Sequence, residues 1–234
     1  MTSATILQET GMGSTHLFSA ALGASVRVDV APIVFVVDDD ISVRESLQLL
    51  IRCESWQPRT FASAQEFFAR PPALAPNCLI LDVSLAGLDG LAVQKRLSIE
   101  RPEMPIIFTT GHADVRITVQ AMKAGAFEFL TKPFPNDVML SAIREALERS
   151  RIALGHKAKM SVLRDCYASL SPRERQVMAL VVSGLLNKQV GGELGISEIT
   201  VKAHRGKVMQ KMKAESLPDL VKMAGRLGLS WSKG

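Results

Sequence analysis

The sequence of residues 34–40 is VFVVDDD, and this stretch decides the fold of the first half of the chain. Its four apolar residues are β-branched or aromatic, which is typical of a buried β-strand. The strand stops at three adjacent acids, Asp38, Asp39 and Asp40. Neighbouring carboxylates repel one another, and each raises the pKa of the next. Something supplied by the rest of the chain must therefore compensate for this repulsion.

From Ile33 onward, short apolar runs alternate with segments of helical periodicity. The apolar runs are IVFVV, RTF, CLILDV, PIIFTT and FEFLTK, and each precedes a helical segment. Near-continuous apolar strands between amphipathic helices predict a parallel sheet covered on both faces. Right-handed crossovers favour a doubly wound α/β fold with five strands in the order 2-1-3-4-5. In such a sheet the functional site lies beyond the carboxyl ends of the strands.

The composition indicates a globular protein of two domains with unlike charges. The chain has 234 residues, more than most single cores hold, and 47% of them are hydrophobic. Residues 30–143 carry a net charge of −3 and residues 161–234 one of +6, so the C-terminal part is expected to meet a polyanion. Cys53, Cys78 and Cys166 follow no spacing pattern, which argues against disulfides or a zinc site and fits a reducing cytosol. No apolar stretch is long enough to cross a bilayer.

Polar side chains end the predicted strands at the edge where the functional site is expected. Asp38–Asp40 end the first strand, Asp82 the third, Thr110 the fourth and Lys132 the fifth. Mg²⁺ binds carboxylate oxygens and keeps several waters, so the acids predict a magnesium site. Asp82 is then placed to act as a nucleophile that forms an acyl phosphate. The metal and Lys132 would neutralise the phosphoryl charge, and Thr110 would donate a hydrogen bond to a phosphoryl oxygen.

At these positions the sequence resembles the receiver domain of bacterial two-component response regulators, over residues 32–150. The resemblance implies that a histidine kinase phosphorylates Asp82. It also implies that Asp39 and Asp82 bind Mg²⁺ directly, together with the main-chain carbonyl of Ser84. Asp38 is expected to help through a water molecule.

The same resemblance implies a conformational switch. Thr110 and Lys132 would sense the phosphate, and Phe129 occupies the position of the family's rotating aromatic residue. The Lys132–Pro133 peptide bond is typically cis in relatives. Movement of Thr110 and Phe129 would change the surface of the fourth helix and fifth strand, through which two receivers pair. Asp40 is expected to cap the following helix rather than to bind the metal.

The basic C-terminal part is predicted to contain helices only. The motif SPRE at 171–174 predicts a helix that begins with a capping box. A short helix over 187–194 is expected to end at Gly195, and a third to run from Ser197 to about Met212. Two helices joined by a tight glycine turn form a helix-turn-helix.

The third of these helices has two unlike faces. The core face is predicted to hold Val201, Val208 and Met212. The opposite face carries Ile199, Lys202, Ala203, Gly206, Lys207 and Gln210. Because Ala203 and Gly206 are small, the helix would lie deep in a major groove. Phosphates or base edges would be reached by Thr200, Lys202 and Lys207.

This segment resembles the LuxR-type helix-turn-helix domain of the FixJ/NarL class of response regulators, on the motifs SPRERQVM, GLLNKQVGGELGIS and TVKAHR. In relatives, three positions face bases, and here they hold Lys202, Ala203 and Gly206. Three further positions lie near the DNA backbone in relatives, and here they hold Lys188, Thr200 and His204. A fourth helix is expected to carry an apolar stripe at Leu217, Leu220, Val221, Ala224 and Leu227. This stripe either pairs two DNA-binding domains, as in relatives, or is buried within one subunit.

Four segments are predicted. They are a disordered N-terminal extension (1–31), the receiver (32–150), a linker (151–167) and an all-α, four-helix domain with the LuxR-type helix-turn-helix (168–234). The last helix of the receiver is expected to run past Arg149, and Gly155 with the basic stretch to Lys159 marks either a linker or a helix that continues into it.

The whole pattern predicts a phosphorylation-activated transcription factor of a two-component system. Its expected partners are a histidine kinase, double-stranded promoter DNA, RNA polymerase and, on phosphorylation, a second copy of the chain. It is expected in the cytoplasm without a membrane partner, and without enzymatic activity apart from self-phosphorylation and dephosphorylation at Asp82. The alternatives are a phosphohydrolase, a receiver that works unphosphorylated and an RNA-binding last domain. No second acid follows Asp82 in the sequence DVS, which disfavours the phosphohydrolase.

Overall fold

The computed structural model describes residues 31–85, 90–111 and 115–229. Residues 1–30 of the predicted N-terminal extension (1–31) lie outside the described residues. The first part of the chain alternates strands and helices in the order β1 (Ile33–Val37), α1 (Ile41–Cys53), β2 (Gln57–Phe61), α2 (Ala64–Phe68), β3 (Asn77–Asp82), α3 (Gly90–Glu100), β4 (Ile106–Thr110), α4 (Val115–Lys123), β5 (Glu128–Thr131) and α5 (Asn136–Ala168). The second part consists of α6 (Pro172–Val182), α7 (Asn187–Leu194), α8 (Glu198–Met212) and α9 (Leu217–Arg226).

The five strands form one parallel sheet in the order β2-β1-β3-β4-β5, which confirms the predicted doubly wound fold. Successive side chains of a strand point to opposite faces of the sheet. Phe35 of β1 therefore packs in one layer against Phe67 of α2. Its neighbour Val36 packs in the other layer with Ile51 of α1 and Ile143 of α5. Both faces are covered, as continuous apolar strands require.

Helix α5 is 33 residues long and belongs to both parts of the chain. Ile143 and Leu147 in its first half are buried against the sheet. Leu163 and Tyr167 near its end pack against the core of the C-terminal helices. Residues 151–167, predicted as a linker, are thus helical throughout, so the helix continues through this segment instead of ending before it.

The C-terminal helices α6 to α9 form the predicted four-helix domain around a core that includes Met178, Val208 and Leu220. Gly195 ends α7 in the left-handed region, with φ at +64°. A Cβ at Gly191 would lie only 2.7 Å from the carbonyl oxygen of Ile196. Glycine is therefore required at position 191 for α7 to pack so closely on the turn before α8.

Helix α9 directs most of its apolar stripe into its own domain. Leu220 and Ala224 are buried, and Leu217 and Leu227 are partly buried against the same core. Val221 is left 44% exposed. Within the described residues, no helix combines the length and the apolar character needed to span a membrane.

Candidate functional site

The candidate site lies at the carboxyl edge of the sheet, where β1 and β3 end side by side. Val37 of β1 pairs with Leu81 of β3, so the next residues, Asp38 and Asp82, emerge next to each other. Both acids are buried, with 1% and 6% of their surface exposed. Lys132 follows β5 and reaches the same edge. Strand order alone therefore brings together residues that are up to 94 positions apart.

The ammonium of Lys132 lies between the two buried acids. Its Nζ donates to Oδ2 of Asp38 at 2.6 Å and to Oδ2 of Asp82 at 2.8 Å. Burial lowers the pKa of Lys132, but its hydrogen bonds to both carboxylates outweigh burial and raise the pKa above the usual range. Burial raises the pKa of Asp38, and the hydrogen bond from Lys132 partly offsets this. Lys132 thus supplies a compensating charge for the two buried acids, Asp38 and Asp82.

Three carboxylates at this edge could hold a metal ion. Asp38, Asp39 and Asp82 each offer one oxygen, and these oxygens lie within 4.8 Å of one another. Asp39 is exposed, so water can complete the coordination shell. An all-oxygen set with access to water fits Mg²⁺. The main-chain amide of Ser84 donates to Oδ1 of Asp82 at 2.9 Å, which fixes the orientation of that carboxylate.

Two contacts shape the loop between β1 and α1. Asp40 caps α1 as predicted, since its Oδ1 accepts a hydrogen bond from the amide of Ser42 at 2.8 Å. Sequence reasoning missed Arg44, whose Nη1 donates to the carbonyls of Asp38 at 2.7 Å and Asp39 at 2.9 Å. A basic residue one turn into the helix after the acids was the available signal. Arg44 holds the backbone of both acids and adds a positive charge beside them.

Thr110 lies on β4, next to the strand that carries Asp82, and Phe129 lies on β5, one strand further out. Thr110 is buried at the end of β4, and its carbonyl accepts a hydrogen bond from the amide of Lys132 at 2.7 Å. Phe129 is partly buried in β5, with its ring 6.2 Å from that of Phe108. The Lys132–Pro133 bond is cis, as the resemblance implied. The structure thus brings the three acids and Lys132 into one cluster and places the predicted switch residues on adjoining strands.

Helix α8 shows the two faces that the sequence predicts. Its core face is formed by the buried Val201, Val208 and Met212. Its predicted DNA face is exposed at Thr200, Lys202, Ala203, Gly206 and Lys207. His204 is partly exposed at the side of the helix, and Lys188 is exposed on α7. All seven predicted DNA-binding residues therefore have at least part of their surface open to solvent.

Polar contacts hold α8 against its neighbours. Arg205 donates to Oδ1 of Asn187 at 3.1 Å, which joins α8 to the start of α7. Lys211 donates to the buried Glu174 carboxylate at 2.6 Å and to the carbonyl of Ser169 at 3.2 Å. The hydrogen bond from Lys211 lowers the pKa of Glu174, and that from the amide of Ser171 contributes further. The sequence predicted the capping role of Glu174 but not its bond to Lys211.

Two family models match the chain. The response regulator receiver domain matches residues 34–144, and the model described as bacterial regulatory proteins, luxR family, matches residues 168–224. The first covers the acid cluster and Lys132, and the second covers α6 to α8. The two matches fall on the two parts of the fold described above.

Similar proteins match over most of their length. Nodulation protein W of Bradyrhizobium diazoefficiens is 46% identical over 208 residues, which are 89% of this chain and 92% of that protein. The transcriptional regulatory protein FixJ of the same organism is 40% identical and covers 84% of this chain and 96% of its own. Among solved structures, the response regulator StyR is 42% identical, with a TM-score of 0.76 over 84% of this chain and 100% of that chain.

Proposed function

The chain belongs to the response regulators that join a receiver domain to a LuxR-type DNA-binding domain, and on this basis we propose that phosphorylation of Asp82 switches its binding to promoter DNA. The phosphoryl donor would be a histidine kinase. The observation that carries this proposal is the cluster in which Asp38, Asp39 and Asp82 share one edge with Lys132. The chain would act in the cytoplasm, where it meets DNA and RNA polymerase, with no enzymatic activity beyond the phosphorylation and dephosphorylation of Asp82.

Asp82 would act as the nucleophile. One of its carboxylate oxygens forms a bond to phosphorus as the phosphorus–nitrogen bond of the kinase's phosphohistidine breaks, and the imidazole leaves with the electron pair. Lys132 already contacts Asp82 and would transfer its hydrogen bond to a phosphoryl oxygen. The hydroxyl of Thr110, at the end of the adjoining strand, would donate a hydrogen bond to a second phosphoryl oxygen.

Mg²⁺ would be held directly by oxygens of Asp39 and Asp82 and by the main-chain carbonyl of Ser84, and Asp38 would contribute through a water molecule. When bound, the ion would neutralise part of the charge on the transferring phosphoryl group. The chain's own contribution is to fix the ligands. Arg44 does this for the loop after β1 by binding the carbonyls of Asp38 and Asp39.

Pairing of two receivers would use the surface of α4 and β5. Helix α4 exposes Val115, Val119 and Met122, by 74%, 44% and 44% respectively. These positions are four and three residues apart, so they form one apolar stripe along the helix. Rearrangement of Thr110 and Phe129 on phosphorylation would reshape the neighbouring strand and favour the paired form.

The paired chains would place two copies of α8 on a two-fold related DNA site. Base edges would be faced by Lys202, Ala203 and Gly206, with Lys207 at phosphates or bases. The DNA backbone would be contacted by Lys188, Thr200 and His204. The functional units would be the extension (1–31), the receiver (32–150), the connecting segment (151–167) and the DNA-binding domain (168–234).

Substitution of the acceptor tests this function. Asp82→Asn keeps the shape of the side chain but removes the nucleophile, so treatment with acetyl phosphate and Mg²⁺ should give neither phosphorylated protein nor dimer. Phosphoprotein gels and light scattering measure the two effects. Asp40→Asn is the matched control, because asparagine also caps helices and Asp40 lies outside the metal set. Dimerisation of Asp82→Asn to the wild-type extent would refute the proposal.

A further inference from the structure

Near the start of α8, an isoleucine side chain is exposed to solvent. Ile199 is the second residue of α8 and is 80% exposed. Single exposed apolar side chains are common on protein surfaces, so the position of Ile199 on α8, and not its exposure alone, indicates a partner. The capping of α8 does not need it, because Ser197 accepts the hydrogen bond from the amide of Thr200.

Around the helix axis, Ile199 lies at the centre of the exposed face of α8, although it is near the N-terminal end of the helix. At 100° per residue it is on the side of the helix opposite the buried Val201. Ala203 and Gly206 follow it on the same side, four and seven residues later. Both are small, and a Cβ at Gly206 would meet nothing within 4 Å. Ile199 is therefore the bulkiest apolar group on this part of the face, and its neighbours do not shield it.

The surroundings of Ile199 favour DNA over an apolar protein surface. Lys202 and Lys207 are exposed on the same side of α8, and residues 161–234 carry a net charge of +6. A helix-turn-helix places the N-terminal residues of its second helix at base edges in the major groove. Of the four bases, only thymine presents a methyl group there, beside its O4 acceptor, so only thymine offers an aliphatic side chain an apolar group to contact.

We propose that Ile199 contacts the C5-methyl group of a thymine and thereby selects an A·T pair at one position of each half-site. The proposal rests on the docking of α8 proposed above. It makes Ile199 a specificity-determining residue in addition to the seven predicted DNA contacts. Lys202 would be free to turn from its ion pair with Glu198, at 3.1 Å, towards the phosphates beside that base pair.

The test uses the full chain activated with beryllofluoride and Mg²⁺. Duplexes are selected from a random library, and each thymine of the selected site is then replaced singly by uracil, which removes only the methyl group. Wild-type protein should lose about fourfold in affinity at one thymine per half-site, the effect expected for one buried methyl group. Ile199→Ala should bind the thymine duplex about fourfold or more weakly and should no longer distinguish thymine from uracil.

Leu186→Ala is the matched control. Leu186 is 71% exposed in the same domain but precedes α7, so its truncation should leave the thymine preference intact. Thermal unfolding should be the same for both variants and wild type, because neither side chain is buried. An Ile199→Ala variant that keeps the full preference for thymine would overturn the proposal. So would a variant that loses only transcription with RNA polymerase, since that result assigns Ile199 to a protein contact. Failure to select any duplex would instead refute DNA docking itself.

Discussion

Replacement of Lys132 by methionine tests whether its positive charge balances the negative charges of Asp38 and Asp82. The change removes the ammonium but keeps a long apolar side chain. Lys132 makes two ion pairs, at 2.6 and 2.8 Å, and its partner side chains are only 2% and 8% exposed. Removing one member of a buried pair costs about 3–5 kcal/mol, because the remaining charge has no partner. Lys132 itself is 19% exposed, so we expect the lower end of that range, about 3 kcal/mol.

The loss should be visible in thermal unfolding in the presence of EDTA. At about 4 °C per kcal/mol, the receiver transition should fall by about 12 °C at neutral pH. Mg²⁺ should restore much of the loss, because it supplies positive charge to the same carboxylates. It should therefore stabilise Lys132→Met more than wild type. Lowering the pH should also reduce the difference in stability between Lys132→Met and wild type. Burial raises the pKa of Asp38, and its protonation removes the charge that the substitution leaves without a partner.

A surface lysine provides the control for this experiment. Lys157 forms one ion pair with Glu103 at 2.7 Å, but its side chain is 62% exposed. Lys157→Met should change the stability by no more than about 1 kcal/mol, and Mg²⁺ should not affect the difference. If Lys132→Met unfolds at the wild-type temperature in EDTA, or if Mg²⁺ stabilises both proteins equally, Lys132 is not the compensating charge.

Two glycines and one carboxylate of the C-terminal domain give further predictions. Gly192→Ala should raise the free energy of unfolding by about 0.5–1 kcal/mol, because alanine is the better helix former and a Cβ there meets nothing within 4 Å. Gly191→Ala should lower the free energy of unfolding, because the new Cβ would lie too close to the carbonyl oxygen of Ile196. Urea unfolding measures both variants, and equal changes in the free energy of unfolding would contradict this prediction. Glu174→Gln should destabilise the domain at neutral pH, by an amount that shrinks as the pH falls below 4.5, because the bond from Lys211 lowers the pKa of Glu174 and protonation ends its contribution. A pH-independent difference in denaturation would argue against this coupling.

The positions of the acids could be predicted from the sequence because they depend on strand order alone. In a parallel sheet the carboxyl ends of neighbouring strands share an edge, so the acid after β1 and the acid at the end of β3 must meet. The contact partners could not be predicted in the same way. Lys132 was expected to bind phosphate, yet without a phosphoryl group it bridges Asp38 and Asp82. Arg44 was missed because its role depends on a side-chain conformation that reaches back to two carbonyls.

The C-terminal domain shows the same division between local and long-range contacts. The capping box of Ser171 and Glu174 spans three residues and follows from the local sequence. The bond from Lys211 to Glu174 spans 37 residues and depends on how α6 packs on α8. Local rules also left open whether α5 continued beyond the receiver. Its continuation is explained by Leu163, which gains burial against the C-terminal core only if the helix does not end early.

The continuous helix α5 changes how a signal at the receiver would reach DNA. Leu147 lies in the receiver core and Leu163 packs on the C-terminal core, about 24 Å apart along one helix. Lys211 then joins the end of α5 to α8 through the carbonyl of Ser169. A flexible linker would let α8 take any orientation after two receivers pair, whereas a helix packed at both ends carries the displacement of one end to the other. We therefore expect the pairing of receivers and the spacing of two recognition helices to be a single structural event.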